Sequence, residues 1–375
     1  MQKRIGIVGG GQLGRMLAQA AKKLGFFVTV LDPTSKSPAG LVADAQITAG
    51  FKDESAIREL ASKSDFLTFE IELANHEILH ELAKDGVAVN PSAETLGIIK
   101  DKLRQKEFLR EAGIPTADFA PVHSKEDVLH ALKRFGYPVV LKARFDGYDG
   151  RGNALISSET DIGKGLEKLA GRLLYVEKFV PFAKELSVII AREATNEIAP
   201  YPVFETVHKN NICHMVIALA RVSSEARKLA EDVARRTMEE LQGVGVFCVE
   251  MFLLENGEVF VNEIAPRVHN AGHLTIEAFR TSQFEQHIRA ITGMKLGLVG
   301  MIVPAAVMVN ILGDRTGRAD PKGVERAEAL PNVRVHLYDK IETRPERKMG
   351  HITATADTVD EAVKNAMLAR SYVTI

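Results

Sequence analysis

The chain has 375 residues, enough for two or three domains with cores of their own. Its 46% hydrophobic and 26% charged residues are those of an ordinary globular protein, and 48 basic against 49 acidic residues leave a net charge of −1, so there is no global electrostatic case for binding nucleic acid or an anionic membrane. Cys213 and Cys248, the only cysteines, stand in no CxxC spacing, so structural zinc is not expected and a reducing, cytoplasmic compartment fits; the Met-Gln-Lys-Arg start runs into a strand pattern, with no secretory leader or membrane-length apolar run expected.

In chain order, residues 4–8 read as a short buried strand, 12–24 as an amphipathic helix and 27–31 as a second strand ending at Asp32. Further strands are expected near 66–70 and 87–90. This β-then-α rhythm predicts an α/β fold with a parallel sheet, whose ligands gather at the carboxyl ends of the strands. A charged helix is expected over 93–112, ended by Gly113-Ile114-Pro115, with a domain boundary nearby. A helix over 125–135, a strand over 138–142, a Gly/Asp loop over 146–152 and a strand over 173–180 form a small unit. Residues 186–264 read as mostly β, interrupted by a helix over 224–241; a helix over 283–291 follows, and the tail from 303 returns to mixed character.

Three places carry chemistry. Gly9, Gly11 and Gly14 form a GxGxxG turn between a strand and a helix, where backbone N–H groups can approach a phosphate, and Asp32 stands where a dinucleotide enzyme holds its ribose. Alone, this turn suits an NAD enzyme, another phosphate ligand, or mere tight packing. The second place is Gly147-Tyr148-Asp149-Gly150-Arg151-Gly152, which follows a strand ending in Lys142. It is not a Walker A sequence, but its glycines and the charges of Lys142 and Arg151 suit phosphate. Third, two strand-like runs flank Asn256-Gly257, the signature of a two-residue type I′ hairpin turn. That turn predicts Leu254 opposite Val259, Phe252 opposite Val261 and Glu250 opposite Glu263, with the two glutamate Cβ atoms about 5 Å apart. A facing pair of like charges on a partly apolar face needs a shared proton, an arginine, open solvent or a cation, and magnesium bridging carboxylates and phosphates is one answer. Arg267, His269, Asn270 and His273, then Lys340, Arg344, Arg347, Lys348 and His351, form a basic set that alone decides little.

Together, GGGQLGRM (9–16), GYDGRG (147–152), NEIAPRVHNAGH (262–273), SQFEQHIRAI (282–291), and HLYDK with RKMGH (336–351) resemble the ATP-grasp superfamily, and within it the 5-(carboxyamino)imidazole ribonucleotide synthases. The resemblance covers nearly the whole chain. It implies an ATP-grasp fold with a Rossmann-like parallel domain (1–100), a lid (101–180), a core (181–300) and a mixed-sheet C-terminal unit packed on that core (301–375). It implies a ligase that converts ATP, bicarbonate and aminoimidazole ribonucleotide, through carboxyphosphate, to the N-carboxylated product, ADP and phosphate, with two magnesium ions, as a cytoplasmic homodimer.

By the same resemblance, ATP meets Lys102, Lys142, Gly147, Tyr148, Gly150, Gly152, Asn153, Glu177, Lys178, Phe179, Val180, Glu185, His208, Asn262 and Glu263. Glu250 and Glu263 hold magnesium, and Asp149, Arg151 and Lys340 serve catalysis. The ribonucleotide meets Gly11, Gln12, Leu13, Glu72, Tyr148, His269, Asn270, Lys340, Arg347 and Lys348. The chain departs from the family at Phe145-Asp146, where Thr-Gly is usual, at Asn153 for glutamine, at Ala271 for serine, and at Leu73-Ala74 beside the substrate-side acids. The rivals are a formate-dependent glycinamide ribonucleotide transformylase, an NAD oxidoreductase and a non-catalytic nucleotide-binding protein.

Overall fold

The computed structural model describes residues 2–147 and 152–375. Five short apolar runs, β1 (Arg4–Val8), β2 (Phe27–Leu31), β3 (Ala45–Ile47), β4 (Phe66–Phe69) and β5 (Ala88–Val89), form an all-parallel sheet in the order β3-β2-β1-β4-β5. Helices make every connection but one, the irregular loop over residues 32–44 between β2 and β3. The helix Gln12–Lys23 buries Leu13, Met16 and Leu17 in one apolar cluster with Phe284 and Ile288 of the helix Gln283–Ile291. This packing fixes the first glycine turn beside the core of the chain.

A second, antiparallel sheet contains β6 (Phe119–Val122), β7 (Val139–Ala143), β8 (Asn153–Ile156) and β9 (Leu174–Lys178) in the order β6-β9-β7-β8. The third begins with β10 (Phe182–Arg192), β11 (Ile198–Pro200), β12 (Phe204–Lys209), β13 (Ile212–Ala218), β14 (Gly245–Leu254) and β15 (Val259–Ala265). It continues through β16 (Ala305–Leu312); β17 (Gly317–Arg318) pairs apart with β19 (Glu342–Thr343), while β18 (Val333–Leu337) and β20 (Lys348–Ala356) complete the large sheet. Its order is β15-β14-β10-β12-β13-β16-β20-β18, with β11 beside β10. Residues beyond 300 therefore extend the same sheet that carries the glutamate hairpin. No helix among the described residues is long and apolar enough to cross a membrane.

The helix expected over 93–112 is two helices, Ala93–Lys100 and Lys102–Glu111. Asp101 between them is extended, with ψ 104°, and its carboxylate caps the second helix by accepting from the N–H groups of Leu103 and Arg104. Arg144, at the end of β7, holds the same carboxylate through Nε at 3.0 Å and Nη2 at 2.5 Å. The break aims Lys102 into the cleft described next.

Candidate active site

The glutamate hairpin departs from the expected turn. Gly257, at φ +86°, donates to the carbonyl of Leu254, and the N–H of Leu254 donates to the carbonyl of Glu258, so three residues close the turn. Near the turn the pairs are Leu253 with Val259, Phe252 with Phe260 and Met251 with Val261, one residue off the expected register. A β-bulge at Asn262 adds one residue to β15 and restores the shift, so Glu250 does face Glu263. The bulge places both Asn262 and Glu263 opposite Glu250, and all three line one cleft of about 880 Å³.

That cleft lies where the three sheets meet. Lys102, Lys142, Gly147, Gly152, Asn153, Glu177, Lys178, Phe179, Val180, Glu185, His208, Glu250, Asn262 and Glu263 line it, and Gln12, Leu13, Glu72, His269, Asn270, Lys340, Arg347 and Lys348 line its other part. An adjoining cavity of about 1160 Å³ shares Gln12, Leu13, Glu72, Lys102, Gly147, Lys340 and Arg347 and adds Gly11. Tyr148, Asp149, Gly150 and Arg151 lie outside the described residues. The two ends of their loop come close together: a Cβ on Gly152 would sit 2.9 Å from the Gly147 Cα, so glycine is required there.

Electrostatics split the glutamate pair. Burial, and then the Glu263 charge, raise the Glu250 pKa to about 7. Burial also pushes Glu263 upward, but Lys102 and Lys142 outweigh it and hold that carboxyl below its usual value. Lys102 Nζ stands 3.3 Å from Glu263 Oε2. His208 Nδ1 hydrogen-bonds Glu185 Oε2 at 2.7 Å; burial disfavours the imidazolium, yet this bond prevails and raises its pKa. At the far end, burial, then Arg347, lower the Lys340 pKa to about 7, and its Nζ donates to the carbonyl of Lys348 at 2.7 Å.

The first glycine turn is not an open phosphate site. The carboxylate of Glu70 accepts from the N–H groups of Gly11 at 2.6 Å and Gly14 at 2.9 Å, while Asp32 accepts from those of Gly10 and Thr34. An internal carboxylate thus fills the anion position of the helix N-terminus, and Asp32 is spent on the turn itself. Of the three readings of this turn the dinucleotide one loses its open amides, and the Gly11 amide is engaged internally, while Gly11, Gln12 and Leu13 all line the adjoining cavity.

Two lining residues are also tied internally. Glu177 lines the cleft, but the residue is only 3% exposed and its carboxylate is ion-paired with Lys106 and Lys142. Sequence reading missed Lys106, although it lies one helical turn after Lys102 in Lys102–Glu111 and so shares its face. Asn270 commits its amide to Asn310 on β16 through a reciprocal pair of hydrogen bonds, at 2.9 and 2.7 Å, and so anchors the wall of the cleft that it lines.

That anchor is one rung of three. Asn310 faces His351 across β16 and β20, and His351 faces His336 across β20 and β18, so the three make a polar row on one sheet face. The segment above them meets the row at helical spacing: Asn270 on Asn310, the His273 ring 4.7 Å from that of His351, and Glu277 Oε1 2.6 Å from His336 Nε2. Tyr338 adds a 2.9 Å bond from its hydroxyl to His351 Nδ1. The row ties the segment bearing Arg267 and His269 to β18 and β20, and so to Lys340 in the loop after β18 and Lys348 at the start of β20. Arg267 in turn reaches Glu72 at 3.1 Å.

Sequence profiles match along the chain: the ribonucleotide synthetase preATP-grasp domain over residues 1–100, the ATP-grasp domain over 107–284, and the phosphoribosylaminoimidazole carboxylase C-terminal domain over 306–365. The chain is 41% identical over 360 residues to the N5-carboxyaminoimidazole ribonucleotide synthase of Bacillus subtilis, covering 96% of this chain and 93% of that protein. It is 43% identical over 365 residues to the phosphoribosylaminoimidazole carboxylase of Ogataea methanolica, covering 95% of this chain but only 67% of that protein's length. The chain likewise spans about two thirds of other such carboxylases, 65% for that of Candida albicans. The crystal structure of N5-carboxyaminoimidazole synthase from Aspergillus clavatus, in complex with ADP and 5-aminoimidazole ribonucleotide, superposes with a TM-score of 0.92 at 38% identity, covering 99% of this chain and 98% of that one.

Proposed function

This chain belongs to the N5-carboxyaminoimidazole ribonucleotide synthase family of ATP-grasp ligases, and on that premise we propose that it carboxylates 5-aminoimidazole ribonucleotide with bicarbonate at the expense of ATP. The observation that carries the reading is the Glu250–Glu263 pair, set beside Lys102 and Lys142 at one end of a cleft whose other end holds Lys340, Arg347 and Lys348.

In the proposed reaction a bicarbonate oxygen attacks the γ-phosphorus and the bond to the bridging oxygen breaks, giving ADP and carboxyphosphate. The substrate amine then takes the carboxyl group, directly or through released carbon dioxide, and phosphate departs. Lys102 and Lys142 neutralise the phosphate oxygens, as preorganised cations do in a partly dry site. Lys178, Phe179 and Val180 line the adenine, and Glu185, held by His208, takes the ribose. Gly147, Gly152 and Asn153 bound the loop over the phosphates. Asp149, as base, accepts the proton and Arg151 steadies the transferring phosphoryl group, both carried over from the family resemblance. Lys340, Arg347 and Lys348 hold the ribonucleotide phosphate against Gln12 and Leu13, with Glu72 and His269 beside them.

The donor set fits magnesium. Two carboxylates face one another, and Glu250 is driven toward protonation when nothing else offsets Glu263. Glu250, Glu263 and Asn262 would hold one or two such ions, which supply charge neutralisation to ATP phosphates. We also assign the chain a homodimeric, cytoplasmic state, and treat residues 1–100, 101–180, 181–300 and 301–375 as its units, in keeping with the family.

The test is phosphate release from ATP. It is expected only when bicarbonate and aminoimidazole ribonucleotide are both present, and it is expected to vanish in Glu263→Gln while the far-ultraviolet circular dichroism is kept. Release independent of the ribonucleotide, or a Glu263→Gln variant with normal magnesium-dependent turnover, overturns the assignment.

A further inference from the structure

Behind Glu250 lies a donor that the reaction does not use. Cys248 sits two residues earlier on β14, so it shares a strand face with Glu250, and it is fully buried. Its Sγ, a Glu250 oxygen and a His269 ring nitrogen all lie within 4.8 Å of one another, the only such trio of metal-ligating side chains among the described residues. The His269 Nε2 to Glu250 Oε1 distance is 3.4 Å. No hydrogen bond or ion pair engages the Cys248 thiol among the described residues.

Donor softness separates two kinds of cation here. Magnesium takes oxygen ligands, so it ignores a thiol and an imidazole and is left to the carboxylates and ATP phosphates. Zinc favours sulfur and nitrogen in a tetrahedron with bonds of about 2.0–2.3 Å, which sets ligand-to-ligand edges of about 3.5 Å. The Glu250–His269 edge, at 3.4 Å, already has that length, and the Cys248 Sγ lies within 4.8 Å of both ligand atoms.

We propose that Cys248, Glu250 and His269 form a second cation site, selective for a thiophilic divalent ion such as Zn²⁺, and that its occupancy inhibits the ligase by drawing Glu250 away from Glu263. Binding breaks the S–H bond heterolytically: sulfur keeps the electron pair and bonds the metal, and the proton leaves to solvent. The fourth tetrahedral position stays open to water or a phosphate oxygen. The inhibitory half of this inference rests on Glu250 serving the magnesium site; the binding half does not.

Cobalt(II) is the probe, because a thiolate-to-cobalt charge-transfer band in the near ultraviolet reports the bond without any turnover. The band is expected in the wild-type protein and in Cys213→Ser, and is expected to be lost in Cys248→Ser. Zinc titrated into the ligase assay at saturating magnesium should inhibit the wild type at least tenfold more potently than Cys248→Ser, whose activity without zinc stays near normal. Absence of the band in the wild type, or its survival in Cys248→Ser, overturns the site. Equal zinc sensitivity of the two proteins overturns the inhibition. If the protein shows no ligase activity, the reading of the cleft fails, and the cobalt band still decides the site.

Discussion

Lys106 gives the sharpest test of how the nucleotide end of the cleft is built. Its side chain is 2% exposed and that of Glu177 is 4% exposed, so the ion pair is dry on both sides. Lys106 also donates to Thr116 Oγ1 at 2.8 Å and to the carbonyl of Val261 at 3.3 Å, tying the helix Lys102–Glu111 to the glutamate hairpin. Burial lowers the Lys106 pKa even against Glu177, which marks the desolvation the pair must offset. Removing one member of a buried pair costs about 3–5 kcal/mol, because the other charge is left behind. Here Glu177 keeps Lys142, so Lys106→Met, which preserves volume, should cost about 3 kcal/mol in urea unfolding. Glu177 should then claim Lys142 wholly and raise the KM for ATP about tenfold, equivalent to about 1.4 kcal/mol. The double variant Lys106→Met with Glu177→Gln removes the stranded carboxylate, so it should lose about 2 kcal/mol less than the two single changes added together. A Lys106→Met protein as stable as the wild type, with unchanged KM for ATP, refutes the claim that this pair sets Lys142.

Three other outcomes follow from the geometry. Glu70→Ala leaves the buried Gly14 N–H and the half-buried Gly11 N–H of the first glycine turn without their partner and should cost about 2 kcal/mol, partly restored by millimolar inorganic phosphate; no loss in urea unfolding would mean the carboxylate is dispensable. Asn310→Leu and His351→Phe disturb the polar row beneath residues 270–277 and should raise the KM for the ribonucleotide about tenfold while leaving that for ATP alone; an equal rise in both would make the row merely structural. Because the folded-state pKa of Lys340 is lowered to about 7, its ammonium is lost in the free enzyme as pH rises through 7. The ribonucleotide KM should therefore climb about tenfold per unit above that point and stay flat in Lys340→Arg; a pH-independent KM in the wild type would exclude Lys340 from phosphate binding.

What the sequence made legible were local agreements between chemistry and period. The strand-turn-helix at residues 4–24 and the long helix Ser224–Leu241 needed only an apolar rhythm and a cap, Ser223 in the second case. What stayed hidden was decided by residues far along the chain. Nothing near Gly11 announces that Glu70, 59 residues away, occupies its amide, and nothing near Asp101 announces Arg144, 43 residues on, which helps break a helix that periodicity runs through. The same distance hid Lys106 as the partner of Glu177.

The hairpin shows how a right pairing can follow from a wrong turn. Asn256-Gly257 was legible as a turn, but whether two or three residues close it depends on which residue takes the left-handed position, and Gly257 takes it as the last of three. That choice alone would shift Glu250 opposite Asn262, leaving the two glutamates out of register. The bulge at Asn262 reverses the shift, and it does so where the cleft begins, between the apolar pairs Met251–Val261 and Val249–Ile264. A bulge leaves a ladder group unpaired and weakens the sheet, so its placement here is better explained by what it delivers: two adjacent residues of β15, Asn262 and Glu263, aimed at one face with Glu250. A regular ladder would send Asn262 and Glu263 to opposite faces. The bulge, more than the turn, therefore sets how many oxygen donors the hairpin offers to a cation.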